Sequence, residues 1–179
     1  MNISDVFSTE ERTRILKKII FKTDMIQVSE VARETNTSKG LVSKYLNKLV
    51  EEKVLEKDNE KFIVRNTPEV KAVKIFLNLT SIDTEVFQKF SYIKSAGVYG
   101  SLVKGTNTDD SDIDIWILHE QVKPEVLSQL SKKLGKHGNI KPLYLTYEKV
   151  DALRINDPVF YYSLIFGSVT LYGEALVSI

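Results

Sequence analysis

Cysteine is absent from the 179 residues. Disulfides, thiolate catalysis and cysteine zinc clusters are excluded with it. Histidine is scarce: His119 and His137 stand apart and read as ordinary surface residues, not as ligands. No apolar run approaches the length that spans a bilayer. The first residues, Met-Asn-Ile-Ser-Asp-Val-Phe, lack a basic segment followed by an apolar one, so no signal peptide is expected and a cytoplasmic protein is. A dominant charge is missing too, with 25 Lys and Arg against 24 Asp and Glu. No global field draws the chain to nucleic acid or membrane, and any such binding needs a local patch. There are no repeats and no low-complexity tracts. What is present is an ordinary globular composition, 42% hydrophobic, long enough for one mid-sized domain or two small ones.

Residues 1–66 read as one unit. Ser8 or Thr9 caps a helix whose first turn carries Glu10 and Glu11, favourable to the dipole. Ile15, Leu16, Ile19 and Ile20 form its apolar stripe. Ser29 precedes a short helix with Val31 and Ala32 inward, and Asn36-Thr37 is a tight turn. Ser38 starts a longer helix in which Leu41, Val42, Tyr45, Leu46, Leu49 and Val50 recur at helical spacing. Val54 to Lys57 and Lys61 to Arg65, joined by Asp58-Asn59-Glu60, read as a β-hairpin. Three helices and a hairpin in this order look like a winged helix-turn-helix. Ser38, Lys39, Ser43, Lys44, Asn47 and Lys48 fall on the solvent side of its third helix, with no acid from Thr35 to Val50. That face suits duplex DNA, side chains near the helix start meeting base edges and the lysines meeting phosphates.

Asn66-Thr67-Pro68 marks a boundary, and Pro68 can open a helix. Val70, Val73, Phe76, Leu77 and Ile82 predict that helix to about Leu79. Its broad stripe is expected to pack between domains or against a second subunit. A further helix, Asp83 to Phe90, completes a connector over 67–92. From residue 93 the pattern alternates: a strand ending at Tyr99, a strand from Ile113, a helix with Val126, Leu127, Leu130 and Leu134, a strand Ile140 to Thr146, a helix containing Val159, Phe160, Tyr161, Leu164 and Ile165 whose aromatics read as core and not as a base-stacking platform, and a closing strand Val169 to Tyr172. The fold class expected is α+β, a winged helix-turn-helix followed over 93–179 by a small α/β domain with a mixed sheet.

The chemistry concentrates at Gly100-Ser101-Leu102-Val103-Lys104-Gly105 and Ser111-Asp112-Ile113-Asp114. Carboxylates two apart on a strand point to one face. Asp112 and Asp114 can therefore share a divalent cation while Ile113, Ile115 and Ile117 face the core. A glycine turn with free backbone N–H groups beside them suits a phosphorylated ligand. Asp110, Asp112 and Asp114 also have the first, third and fifth spacing of a calcium loop. That reading fails, because Ile115 stands where the loop needs Gly and Gln121 where it needs Glu.

Gly100-Ser101, a spacer, and Asp112-x-Asp114 resemble the signature of the minimal nucleotidyltransferases of the DNA polymerase beta superfamily. The likeness extends from about Val86 to the end, where Asp157-Pro158-Val159-Phe160, Gly167 and Leu171-Tyr172-Gly173-Glu174 look like the usual close of these domains. The resemblance implies that Gly100 and Ser101 contact the triphosphate of an NTP, with Gly105 in its usual place and Lys104 a further phosphate contact. It implies that Asp112 and Asp114 bind Mg2+ and carry the catalysis. It also implies a third carboxylate on the neighbouring strand. Ile140 to Thr146 contains none, Lys141 and Tyr144 being its ionisable side chains, while Glu148 and Asp151 fall on the next helix.

Two functions follow. The first is a Mg2+-dependent transferase that moves a nucleoside monophosphate from NTP to an acceptor, coupled to a DNA-binding domain. The resemblance offers a partner protein's hydroxyl as acceptor, as in toxin–antitoxin pairs. The alternative is a non-catalytic transcriptional regulator whose second domain senses nucleotide or forms a homodimer.

Overall fold

The computed structural model describes residues 1–134 and 139–176. His137 lies outside them. The chain divides into two compact units, Met1–Leu77 with Asn107–Asp110, and Asn78–Thr106 with the described residues from Ser111 on. The division falls inside one helix.

In the first unit a short helix, α1 (Ile3–Val6), precedes the elements expected from the sequence. It is followed by α2 (Glu10–Ile19), capped by Thr9, whose hydroxyl accepts the Arg12 amide at 3.3 Å. Next come α3 (Val28–Glu34), opening at Gln27, and α4 (Lys39–Glu51), capped by Ser38. Val42, Tyr45, Leu46 and Leu49 of α4 are buried against Ile15, Leu16 and Ile19. Leu41, expected in that stripe, is 37% exposed. It sits one position, about 100° of helix rotation, off the row that begins at Val42. Strands β1 (Leu55–Asp58) and β2 (Lys61–Val64) pair antiparallel, with Asn59 in the left-handed conformation at the turn. Phe62 also exchanges backbone hydrogen bonds with Ile26, at 2.7 and 3.0 Å. Helix α5 (Pro68–Ser81) adds Val70, Val73 and Leu77 to this core, while Phe76 is exposed with its ring against the edge of Phe7. Residues 107–110 are fastened here by Lys74 Nζ on the Asn107 carbonyl (3.0 Å) and by the Asp109 amide on the Phe21 carbonyl (3.2 Å).

The second unit runs α6 (Glu85–Gln88), β3 (Ile93–Val98), α7 (Ser101–Lys104), β4 (Ile113–His119), α8 (Pro124–Leu134), β5 (Ile140–Leu145), α9 (Tyr147–Asn156), α10 (Pro158–Gly167) and β6 (Val169–Tyr172). The four strands form one mixed sheet in the order β5-β4-β3-β6. Only β4 and β5 run parallel. Both faces are covered. Ile115 and Ile117 pack with Val98, Leu102, Leu130 and Leu134 on one side. Trp116 and Leu118 pack with Leu145, Val150, Tyr161 and Leu164 on the other. Gly97 makes room for the Trp116 ring, since a Cβ there would lie 2.5 Å from it.

One expectation is corrected here. His119 is buried, 3% exposed, because period two along β4 puts it on the face of Ile115 and Ile117. On α10 the exposed side is shared by Val159, Tyr162 and Phe166.

Candidate functional site

Strand β3 delivers the chain to a turn at Tyr99-Gly100. The Tyr99 amide donates to the Asp114 carbonyl at 3.1 Å, which ties the turn to the start of β4. Gly100 has φ 73° and ψ −138°, a region open in practice to glycine alone. A Cβ added there would lie 2.8 Å from Asp114 Oδ2. Backbone and carboxylate are thus in direct contact, and any side chain at 100 would push them apart. Ser101 to Lys104 form the single turn α7, and Gly105 closes it in the left-handed conformation. Leu102 is buried beneath it. Its carbonyl accepts Nδ2 of the buried Asn78 at 3.0 Å. Ser101 is half-buried and Lys104 exposed.

Asp112 ends the approach to β4 and Asp114 is its second residue. As expected, they share a face, the side of Trp116 and Leu118. Their surroundings differ. Asn139 Nδ2 donates to Asp112 Oδ1, and Lys141 Nζ forms an ion pair with Asp112 Oδ2. Asp114 is half-buried, and its carboxylate has no hydrogen bond or ion pair among the described residues. Burial pushes its pKa up, the Asp112 charge adds to this, and Lys141 opposes both. Tyr99 is raised as well, by burial first and the Asp114 charge second. Its ring meets the edge of Phe160, 6.1 Å between centroids, on α10.

Of the residues singled out in the sequence, the structure sets Gly100 against the Asp114 carboxylate, with Asp112 on the same face. The sequence reading misses Asn78, Tyr99, Asn139 and the role of Lys141. The parallel register of β5 sets Lys141 opposite Asp114, where a carboxylate would have been expected. Period-two alternation along β5 places Lys141 on one sheet face, but the register against β4 is invisible in a single sequence. Glu148 and Asp151 do lie on α9. The Thr146 hydroxyl holds Glu148 below the usual carboxylate range, and Asp151 pairs with Arg154 at 3.5 Å. Among the described residues no three acidic, histidine or cysteine side chains cluster as metal ligands. The donor set at Asp112 and Asp114 is two carboxylates. Such a pair fits one hard divalent ion that takes its other oxygens from phosphates and water.

A second face lies on the first unit. Lys39, Ser43 and Asn47 of α4, Lys57 and Lys61 of the hairpin, and Ser29 of α3 line a concavity of about 440 Å³. Ser38 is spent as the α4 cap. Lys44 is exposed. Lys48 pairs with Asp5, Glu51 and Glu52 at 3.4, 3.2 and 3.6 Å, and the Glu51 and Asp5 carboxylates raise its pKa.

Residues 79–165 match the family model of the nucleotidyltransferase domain. The match begins one residue after the division between units and contains Gly100, Ser101, Lys104, Gly105, Asp112 and Asp114. It supports a general nucleotidyltransferase-like function and, with it, an NTP as substrate. A crystal structure described as a "putative nucleotidyltransferase" from Sulfolobus solfataricus is similar at 18% identity, over 62% of this chain and 92% of that one, with a TM-score of 0.36. No curated protein matches the chain. No helix among the described residues is long and apolar enough to cross a membrane.

Proposed function

We propose that the nucleotidyltransferase domain binds an NTP with Mg2+ and transfers its nucleoside monophosphate to a hydroxyl supplied by a partner protein. The observation that carries this reading is the Asp114 carboxylate, without hydrogen bond or ion pair among the described residues, set against the Gly100 backbone, with Asp112 on the same face. Asp112 and Asp114 would hold the ion, which when bound draws negative charge from the phosphate oxygens. Gly100 and Ser101 would cradle the triphosphate, with Gly105 shaping the turn and Lys104 reaching a phosphate. The acceptor oxygen bonds to the α-phosphorus, pyrophosphate leaves with the electrons of the broken P–O bond, and the hydroxyl proton passes to water or to a base from the partner. Incubation with radiolabelled NTPs and Mg2+, with and without lysate, tests this. A labelled acceptor that depends on Asp112 and Asp114 is expected.

The first unit would be a winged helix-turn-helix that binds duplex DNA. The order α2, α3, α4, hairpin and the lysine-lined concavity support it. Lys39 and Lys44, with Ser43 between them on the helix, would face the DNA. Lys57 and Lys61 join them, and Lys48 drops out.

One observation favours a second reading, a regulator that senses nucleotide without turnover. Lys141 stands opposite Asp114, and β5 offers no base. A general base typically contributes about 10²–10⁴-fold. Tight NTP binding with no labelled product in lysate would select this reading.

A further inference from the structure

Asp112 and Asp114 carry like charges on one face, yet their partners are unequal. Both oxygens of Asp112 are engaged, by Asn139 and Lys141, while the Asp114 carboxylate has neither hydrogen bond nor ion pair among the described residues. The asymmetry comes from the sheet. Parallel pairing aligns Lys141 with Asp114, and its side chain rises on the same face as the carboxylate pair. From there the four-carbon stem reaches Asp112 Oδ2. The Lys141 side chain is 64% exposed, so packing does not hold it in that position. A compact ammonium on a flexible stem can leave its partner and return.

We propose that Lys141 is a tethered counter-ion of the carboxylate pair, holding Asp112 when no divalent ion is bound and competing with the ion for it. This rests on the nucleotide and metal reading above. An ion held by the two carboxylates would have to take an Asp112 oxygen from Lys141 and would then lie near a positive charge. Both effects would weaken the binding of a free ion. The site is thereby biased against holding a free ion.

The test uses the full chain and free Mn2+, a hard divalent ion that prefers oxygen donors as Mg2+ does, followed by electron paramagnetic resonance. Lys141→Met is expected to bind Mn2+ about tenfold more tightly than the unmodified protein, because a unit charge a few ångströms away acts on a doubly charged ion. Lys141→Arg keeps the charge and should leave the affinity within about twofold. The difference between Met and Lys should shrink as salt rises. In chelator Lys141→Met should melt at a lower temperature, and its gain on adding Mn2+ should be larger. Equal or weaker Mn2+ binding by Lys141→Met, with its fold intact by circular dichroism, overturns the proposal. Asp112→Asn with Asp114→Asn separates the two levels. If that pair abolishes Mn2+ binding while Lys141→Met does nothing, the counter-ion idea alone fails. If the pair leaves Mn2+ binding unchanged, the metal site itself is wrong and the proposal goes with it.

Discussion

Gly100 and Asp114 hold each other in place at the residue scale. Gly100→Ala would force a Cβ to 2.8 Å from Asp114 Oδ2 and put an L residue at φ 73°. A cost of about 1–3 kcal/mol is expected from the backbone alone, read by urea denaturation, together with loss of divalent-dependent nucleotide binding. Asp114 gives a pH prediction. Its folded pKa lies above the ordinary carboxylate value. A carboxyl raised in this way supports the fold at low pH, and the support is lost as pH rises through the raised value. In chelator, Asp114→Asn should therefore melt higher than the unmodified protein at neutral pH. The advantage should vanish below the ordinary Asp pKa. A melting difference that is the same at every pH would show that the Asn variant acts through packing instead. Asp112 and Asp114 were legible in the sequence because their spacing alone sets their common face. Lys141 and Asn139 were not, because they reach Asp112 from 27 to 29 positions away through a strand register. His119 was misread although the signal was there: it continues the row Ile113, Ile115, Ile117.

Elements differ in how fully their faces are used. Helix α10 is apolar nearly all round, with Tyr161 and Leu164 buried and Val159, Tyr162 and Phe166 outward. Leu164→Ala should cost about 2–5 kcal/mol by the cavity it leaves, while Val159→Ser should change stability by no more than about 0.5 kcal/mol. Equal costs in chemical denaturation would mean that the outward side is covered in solution. Helix α4 divides the same way. Lys39→Ala and Lys44→Ala should each weaken duplex binding at every sequence and lower the salt slope by about one. Lys48→Ala should leave that slope alone, because its ammonium already faces three carboxylates. Fluorescence anisotropy over a salt series distinguishes them. Sequence periodicity found α2, α4 and the hairpin because each has one apolar face. It overreached at Leu41, which is apolar but lies off the buried row. It missed α1, too short to show a period.

At the scale of the whole molecule the charges balance, so the proposed binding at either face would rest on a few placed groups: lysines in a concavity of the first unit, and two carboxylates against a glycine turn in the second. The division inside α5 was beyond the sequence, which marks Pro68 as a helix start but gives no sign that residues 107–110 belong with the first unit. The central claim, that the second unit binds NTP through a divalent ion held by Asp112 and Asp114, is tested most directly by isothermal titration of each NTP with and without Mg2+. The full chain should bind at least one NTP in Mg2+ and lose that binding in chelator. Asp112→Asn with Asp114→Asn should abolish it while melting as a folded protein. Nucleotide affinity unchanged in the double variant, or indifferent to Mg2+, would contradict the claim.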